Sequence, residues 1–204
     1  MARRMAAAPR VETDTRSVLL EAAEQCLRRY GYSGLSTRRV AETAAMPLSQ
    51  IHYHFGSKDA LVLALLEQQN ERLLARQRAT FAAELSLSKQ WEKACDYLDQ
   101  DLASGYVSVL QEMIAAGWSN PKIAAAVRQC LAGWYALLNQ VVKEATSRFG
   151  SLGSLKSDDL ACLIGNAFLG SEALLLLGFE AEGMPIRRGL RRFGALIRSL
   201  EEPR

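Results

Sequence analysis

Hydrophobic residues recur along this chain with the 3.6-residue period of an α-helix, almost from end to end. A clear example is the stripe from Leu19 to Tyr30, in which apolar side chains follow one another at spacings of three and four residues. No segment keeps up the alternation of apolar and polar residues that marks a half-buried strand. The pattern therefore predicts an all-α fold.

Glycine, proline and helix-capping residues divide this pattern into nine predicted helices. Gly31 ends the first helix, Ser36 caps a short second helix, and Pro47 opens a third over residues 48–55. A long fourth helix is predicted over 57–84, because no helix breaker interrupts it. Five more helices are predicted at 88–103, 106–117, 121–149, 157–181 and 185–200.

The chain is expected to have two domains, which we name the head (residues 1–56) and the body (residues 57–204). Residues 1–60 carry nine Lys or Arg and six Asp or Glu, whereas residues 61–204 carry sixteen of each kind. The basic excess is therefore confined to the N-terminal part of the chain. A locally basic segment is what a polyanion-binding surface requires, although a bias of three charges is weak by itself.

The second and third predicted helices, joined by a tight turn, have the arrangement of a helix-turn-helix. Leu48, Ile51 and Phe55 form the inward face of the third helix. Left outside are polar and aromatic side chains that can contact base edges and phosphates in a major groove: Ser49, Gln50, His52, Tyr53 and His54. Basic side chains beside this helix would contact phosphates: Arg38, Arg39 and Lys58. By spacing alone, a short polar helix is more often simply solvated, and Tyr53 is also compatible with a half-buried ring.

The segment LSTRRVAETAAMPLSQIHYHFGSKDAL, residues 35–61, resembles the DNA-binding region of the TetR family of bacterial regulators. The resemblance extends over about residues 13–65 and includes the Tyr-Gly-Tyr turn that ends the first helix. It rests on matched residue types at matched spacing: Val40-Ala41, Ile51, Tyr53, His54-Phe55, Ser57-Lys58 and Leu61. It implies DNA contacts from Arg38, Gln50, His52, Tyr53 and His54, with Lys58 on a phosphate.

The sequence departs from the family pattern at three positions. Ser49 stands where the family commonly has glycine, and His52 stands where it commonly has tyrosine. Ala45 replaces the glycine of the turn before the third helix, and alanine mildly disfavours a left-handed backbone conformation. These departures change individual contacts without removing the resemblance.

The resemblance also implies a function and partners. We expect a ligand-responsive transcriptional regulator that binds double-stranded operator DNA as a homodimer. The expected mode is repression, relieved when a small, largely apolar effector releases the protein from a palindromic operator, although activation stays open. The competing interpretation is a helical ligand-binding or adaptor protein whose head does not bind DNA. Neither interpretation requires a cofactor.

Large and aromatic side chains are concentrated in the body, where TetR-like proteins enclose a ligand cavity. Any one of these side chains is compatible with plain core packing, but together with a few polar groups they suit an apolar pocket. The candidate pocket residues are Tyr97, Tyr106, Met113, Trp134 and Asn166.

The last two predicted helices are expected, from the resemblance, to form a four-helix seam with their symmetry mates. The predicted helix over 157–181 is rich in small residues that permit close helix approach, and the last helix carries a regular apolar stripe. The candidate interface residues are Leu163, Phe179, Leu190, Phe193 and Ile197. The arginines of the last helix are assigned to its solvent-exposed side.

The sequence argues against several other classes of protein. It has no phosphate-binding glycine loop, metal-ligand spacing or nucleophile motif, so we expect neither an enzyme nor a metal site. The four cysteines are widely spaced and are expected to be reduced and buried in a cytoplasmic protein. Polar residues within 160–179 argue against a membrane span. The basic N-terminal residues Arg3, Arg4 and Arg10 form either a solvated tail or a DNA-contacting arm.

Overall fold

The computed structural model describes residues 10–150 and 153–201. These residues form nine α-helices and no β-strand, which confirms the predicted all-α fold. The helices are α1 (Arg10–Gly34), α2 (Thr37–Thr43), α3 (Leu48–His54), α4 (Lys58–Phe81), α5 (Leu87–Ser104), α6 (Tyr106–Gly117), α7 (Pro121–Phe149), α8 (Ser157–Leu176) and α9 (Ile186–Glu201).

Most predicted helix ends agree with the structure to within three residues, and the exceptions have local causes. At Gly31 the backbone leaves the helical region (φ 66°, ψ 177°), but one further turn follows, so α1 continues to Gly34. The predicted helix over 157–181 was too long, because α8 ends at Leu176. Gly178 then takes a φ of 79°, a conformation that terminates helices. The proposed N-terminal arm with Arg3 and Arg4 lies outside the described residues, and Arg10 opens α1.

The chain divides into two compact units, residues 1–68 (the head unit) and residues 69–204 (the body unit). The division falls inside α4, whereas the sequence placed it before that helix, at 56/57. The first turn of α4 is tied to the end of α1 by hydrogen bonds from Lys58 to Tyr32 and from Tyr32 to Asp59. These bonds account for the start of α4 belonging with the head unit.

In the body unit, α5 packs along α9, and α7 packs against both α6 and α8. Cys95, Leu98 and Phe168 form a buried cluster between α5 and α8. Trp91 adds to this cluster through an edge contact with Phe168, with 5.4 Å between ring centroids. Its indole Nε1 donates a 2.7 Å hydrogen bond to the carbonyl oxygen of Leu190, which anchors α9 on α5.

The arginines of α9 form ion pairs with acidic residues of α5. Arg187 and Arg191 each lie 2.7 Å from a carboxylate oxygen of Asp99, and Arg198 lies 2.7 Å from Glu92. These groups are partly exposed, so each pair contributes little to stability by itself. The sequence assigned the arginines of this helix to a solvated face, whereas in the structure these three form ion pairs with α5.

Three of the four cysteines are buried as expected, namely Cys26, Cys95 and Cys130, and none of the four forms a disulfide bond. Burial raises the pKa of the Cys95 thiol to about 11, which makes it a poor nucleophile. Cys162 differs from the expectation, because it lies on an exposed face of α8.

Among the described residues, α8 is the one helix long and apolar enough by composition to cross a membrane, with a mean hydropathy of 1.4. In the structure, one face of α8 carries buried Ala161, Gly165 and Phe168. A different face leaves Leu163 and Ala167 exposed. The high hydropathy of α8 therefore reflects two apolar faces on one helix.

Candidate functional site

The turn between α2 and α3 is built by local sequence signals. Ser36 caps α2, and its hydroxyl accepts a 3.2 Å hydrogen bond from the backbone N–H of Arg39. Ala45 takes a φ of 51°, the left-handed conformation that glycine adopts without strain. Val40, Ala41 and Ile51 are buried, so the inner faces of α2 and α3 are fixed by the core of the head unit.

The outer face of α3 presents polar and aromatic side chains to solvent. Ser49, His52 and Tyr53 share this face at spacings of three and four residues, and all three are exposed. Tyr53 is 70% exposed, and its ring meets the His54 ring edge-on at 5.0 Å. Gln50 and His54 lie half-buried at the side of the helix. A projecting short helix with this set of groups is suited to a major groove.

The two arginines of α2 differ in their surroundings. Arg38 is exposed. Arg39 is half-buried; its guanidinium donates a hydrogen bond to the carbonyl oxygen of Gly34 and lies 4.3 Å from the Tyr30 ring centroid. Arg39 therefore stabilises the connection between α1 and α2. This structural role was not predicted from the sequence.

Lys58 also has partners inside the head unit. Its Nζ donates a 2.6 Å hydrogen bond to the carbonyl oxygen of Tyr32 and lies 4.0 Å from the centroid of that ring. The Tyr32 hydroxyl donates to Asp59. Burial, together with this hydrogen bond and the charge of Asp59, raises the pKa of Tyr32 to about 12. The contacts among Lys58, Tyr32 and Asp59 hold the start of α4 against the end of α1.

The body unit encloses a cavity of about 50 Å³, bounded by residues of α4 to α8. Aromatic side chains form much of its wall: Phe81, Tyr97, Tyr106, Trp134 and Phe168. Tyr97, Tyr106 and Trp134 were candidates from the sequence. Met113 is buried but does not line the cavity. Asn166 does not line it either, because α8 turns that side chain to the exposed face, where its Oδ1 accepts a 2.7 Å hydrogen bond from the Tyr135 hydroxyl.

Two carboxyl groups at the cavity were not found from the sequence. Glu172 lines it from α8 and accepts a 3.2 Å hydrogen bond from Gln111 Nε2. Burial raises the pKa of Glu172 to about 7; the Gln111 hydrogen bond opposes this shift, and the nearby Asp101 charge adds to it. Asp101 lines the cavity from α5 and pairs with Arg76 at 2.7 Å. Burial raises the pKa of Asp101 as well, against the effect of Arg76.

A third polar group at the cavity is Gln77 of α4, which is 9% exposed. Its Oε1 is buried and has no hydrogen-bond partner among the described residues. A buried amide oxygen without a donor costs free energy, so this position favours a bound donor. No group of His, Cys, Asp and Glu within the described part of the chain is arranged to hold a metal ion.

Helices α8 and α9 carry an exposed apolar surface, which we call the α8–α9 face. It includes the sequence candidates Leu163, Phe179 and Phe193, which are 56%, 40% and 42% exposed. Leu190 and Ile197 point the other way: Leu190 packs on the core cluster, and Ile197 is 8% exposed. Exposed side chains that the sequence did not select also contribute: Leu177, Leu196 and Leu200.

The sequence of the head unit matches a known family. The family described as "Bacterial regulatory proteins, tetR family" matches residues 19–65, which contain α2, α3 and the start of α4. Residues 19–65 therefore resemble the DNA-binding region of TetR-family regulators. The matched segment is the part of the chain that carries the projecting α3 helix, so the family's conserved domain and the candidate DNA-contacting surface coincide.

The curated proteins that match part of this chain are transcriptional regulators. The HTH-type transcriptional regulator UidR of Escherichia coli is 28% identical over 120 residues, which cover 56% of this chain and 57% of UidR. The chain thus matches little more than half the length of that relative. The HTH-type transcriptional repressor AcnR of Corynebacterium glutamicum is 36% identical over 61 residues, 30% of this chain and 32% of AcnR. None of these names is that of an enzyme, in agreement with the sequence prediction.

The complete fold also has solved counterparts. A transcriptional regulator from Saccharomonospora viridis, solved in complex with choline, aligns with a TM-score of 0.74 at 20% identity, over 89% of this chain and 95% of that one. At this level of identity the likeness concerns the fold. The body unit, which lies outside the match at residues 19–65, thus shares the helical fold of that protein.

Proposed function

We propose that this protein is a cytoplasmic, ligand-responsive transcriptional repressor that binds a pseudo-palindromic operator as a homodimer and leaves it when a small effector occupies the body cavity. The observation that carries the proposal is the exposed polar face of α3 within a TetR-type helix-turn-helix. Repression is favoured over activation by the name of the AcnR relative.

The proposed DNA contacts divide into two groups. Groups on and beside the outer face of α3 meet base edges or sugars in the major groove: Ser49, Gln50, His52, Tyr53 and His54. Arg38, exposed at the start of α2, binds a phosphate. Lys58 and Arg39 also face phosphates in this proposal, but both support the head unit through internal hydrogen bonds, so their contribution to DNA binding is partly structural.

Dimerisation is proposed to occur through the α8–α9 face. Leu163, Leu177 and Leu196 are each more than half exposed, and apolar area of this extent favours burial against a partner. A single short helix reads too few base pairs for useful specificity, whereas a two-fold dimer reads two half-sites about 34 Å apart, one turn of DNA.

Effector binding is proposed at the cavity of the body unit. Its wall of aromatic side chains with a few polar groups has the composition of a small-molecule site. The cavity is small, so an effector of ordinary size must push its walls apart. A regulator of similar fold from Saccharomonospora viridis was solved in complex with choline, which supports a small-molecule ligand for this protein. Because α4 belongs to both units, it is the route by which we expect the ligand to oppose DNA binding.

A gel-shift experiment with the DNA upstream of the protein's own gene tests the proposal. We expect a shifted complex that persists in excess non-specific DNA and contains two copies of the chain. Tyr53→Ala should weaken this complex, whereas Trp118→Ala, at an exposed position of the body unit, should leave it unchanged. If no specific site is found there or by selection from random DNA, the chain is instead a ligand-binding protein with an inactive head.

A further inference from the structure

The cavity of the body unit combines aromatic walls with hydrogen-bond acceptors. Glu172, Asp101 and Gln77 all line it. Among the described lining residues there is no Lys, Arg or His, so no cation of the wall itself faces these acceptors. The cavity wall therefore favours a ligand that can donate hydrogen bonds to oxygen atoms and pack against aromatic rings.

The two carboxylates are not equivalent. Asp101 is neutralised by Arg76, whose guanidinium also lies 4.1 Å from the Tyr97 ring centroid and is held there. Glu172 accepts a 3.2 Å hydrogen bond from a neutral amide, Gln111 Nε2. Glu172 is thus the acidic group of the cavity that lacks an ion-pair partner among the described residues.

Gln77 supplies a second, independent indication. It is more than nine-tenths buried, and its Oε1 has no hydrogen-bond donor among the described residues. A carbonyl oxygen and a carboxylate in one apolar enclosure both require donors. An ammonium group supplies up to three donors and a positive charge from one ligand atom.

The aromatic side chains favour the same class of ligand. Trp134, Tyr106 and Phe168 line the same cavity as Glu172. Ring faces attract cations, and the attraction increases when water is excluded. A carboxylate ligand, in contrast, would bring a second unpaired acidic group to a site without a lining cation, and like charges at close range oppose binding.

We propose that the cavity binds a small organic cation, whose ammonium group pairs with Glu172 and donates to Gln77, while its apolar part lies against the aromatic wall. This inference rests on the proposed function, because it assigns a chemical class to the effector of the same site. It also refines the expectation of a largely apolar effector, which here carries one positively charged end.

Ligand binding is then coupled to protonation of Glu172. The groups around it are Gln77 and the Arg76–Asp101 pair from α4 and α5, Tyr106 and Gln111 from α6, and Cys130 from α7. Burial raises the pKa of Glu172 to about 7, so much of the carboxyl population is protonated in neutral solution. A cation binds the ionised form, so its affinity should fall by up to about tenfold for each pH unit below 7 and level off above it.

The test compares hexylamine, hexanol and hexanoate, three probes with the same chain length and different charge. Titrations are followed by calorimetry and by the fluorescence of Trp134, which lines the cavity. We expect hexylamine to bind at least about tenfold more tightly than hexanol, and hexanoate most weakly. Glu172→Gln should remove the preference for the amine and leave the hexanol affinity within about twofold of wild type. Glu182→Gln, at an exposed position, is the matched control.

The inference would be overturned if the three probes bound with equal affinity or if none of them bound. It would also be overturned if Glu172→Gln still preferred the amine. The pH series on the wild-type chain gives a second measurement that does not depend on a variant. Gel shifts with the same preparations separate the two proposals. Specific DNA binding without an amine preference contradicts only the ligand class, whereas an amine preference without DNA binding contradicts the regulator.

Discussion

Lys58 Nζ donates a hydrogen bond to the backbone carbonyl oxygen of Tyr32 at 2.6 Å and lies over the ring of the same residue. The family resemblance assigns this lysine to a DNA phosphate, yet the protein without DNA already uses it to join α4 to α1. An ammonium group has three N–H donors, so both uses are compatible. We therefore expect Lys58 to contribute to both folding and DNA binding, and Arg38 to contribute to DNA binding alone.

Substitution of these two cations separates the two effects. We expect Lys58→Ala to lower the free energy of unfolding by about 1–2 kcal/mol, because a charge-assisted hydrogen bond and a cation–π contact are lost. Arg38→Ala should leave unfolding unchanged, weaken binding to all DNA sequences, and reduce the slope of log K against log salt by about one. Denaturant titrations and salt-dependent binding measure these quantities. An unchanged slope in Arg38→Ala would remove the phosphate contact from our proposal.

Substitutions on the outer face of α3 should change sequence preference. Gln50→Ala and Tyr53→Ala are expected to cost about 1–3 kcal/mol at the preferred base pair and much less at other bases. The reason is that base-edge contacts discriminate, whereas phosphate contacts do not. Binding to a set of single-base operator variants measures the effect. Uniform weakening across the whole set would instead assign the altered side chain to the DNA backbone.

Ala45 is expected to limit the stability of the head unit. Its φ of 51° places a Cβ-bearing residue in the left-handed region, which glycine occupies without strain. Ala45→Gly should therefore raise the free energy of unfolding by about 0.5–1 kcal/mol after the greater chain entropy of glycine is subtracted. Ala44→Gly is the matched control, because Ala44 has helical angles (φ −76°, ψ −7°) and should lose stability instead. Thermal or denaturant unfolding of both variants gives the comparison.

The α8–α9 face should control the oligomeric state. Leu177→Glu or Leu196→Glu, at positions 72% and 55% exposed, should produce monomers, because a charge buried at an apolar interface without a partner is strongly unfavourable. Trp118→Glu is the control, since Trp118 is 83% exposed at the C-terminal cap of α6. Sedimentation velocity distinguishes the species. Dimers that survive both leucine substitutions would place the interface elsewhere.

Glu172 should make stability depend on pH. Its pKa is about 7 in the folded protein, above the ordinary carboxyl value of 4.5, so between these values the folded state binds more protons than the unfolded state. The stabilisation by the protonated form is complete below about pH 4.5 and is lost as the pH rises through 7. We expect Glu172→Gln to be the more stable protein at pH 8, by about 2–3 kcal/mol at most, and to lose this advantage near pH 5.

Denaturant unfolding of Glu172→Gln, Glu182→Gln and wild type at the two pH values checks this prediction. Glu182 is exposed, so its substitution should follow the wild-type pH dependence. An equal response of the two variants to pH would show that Glu172 is ionised freely in the folded protein.

The fold class and the projecting α3 helix were predictable from the sequence, because their signals are local. Helical periodicity depends on the spacing of residues within one segment, and caps such as Ser36 and breakers such as Gly105 act on neighbouring backbone groups. The left-handed turn at Ala45 was anticipated only through the family pattern, since alanine itself gives no signal for that conformation.

The cavity and the interface depended on tertiary packing. The sequence does not indicate whether a helical glutamate is solvated or enclosed, so Glu172 was not predicted as a cavity residue. Its position became evident only from the packing of α6 and α8, which places Gln111 within hydrogen-bond distance of it. Asn166, chosen as a polar group of the pocket, faces outward because the rotation of α8 about its axis is set by the packing of Gly165 and Phe168. On α9, packing likewise decides that Ile197 is buried and that the adjacent Leu196 is exposed. Periodicity defines the faces of a helix, but only its packed neighbours decide which apolar face is buried within the chain and which is left for a partner.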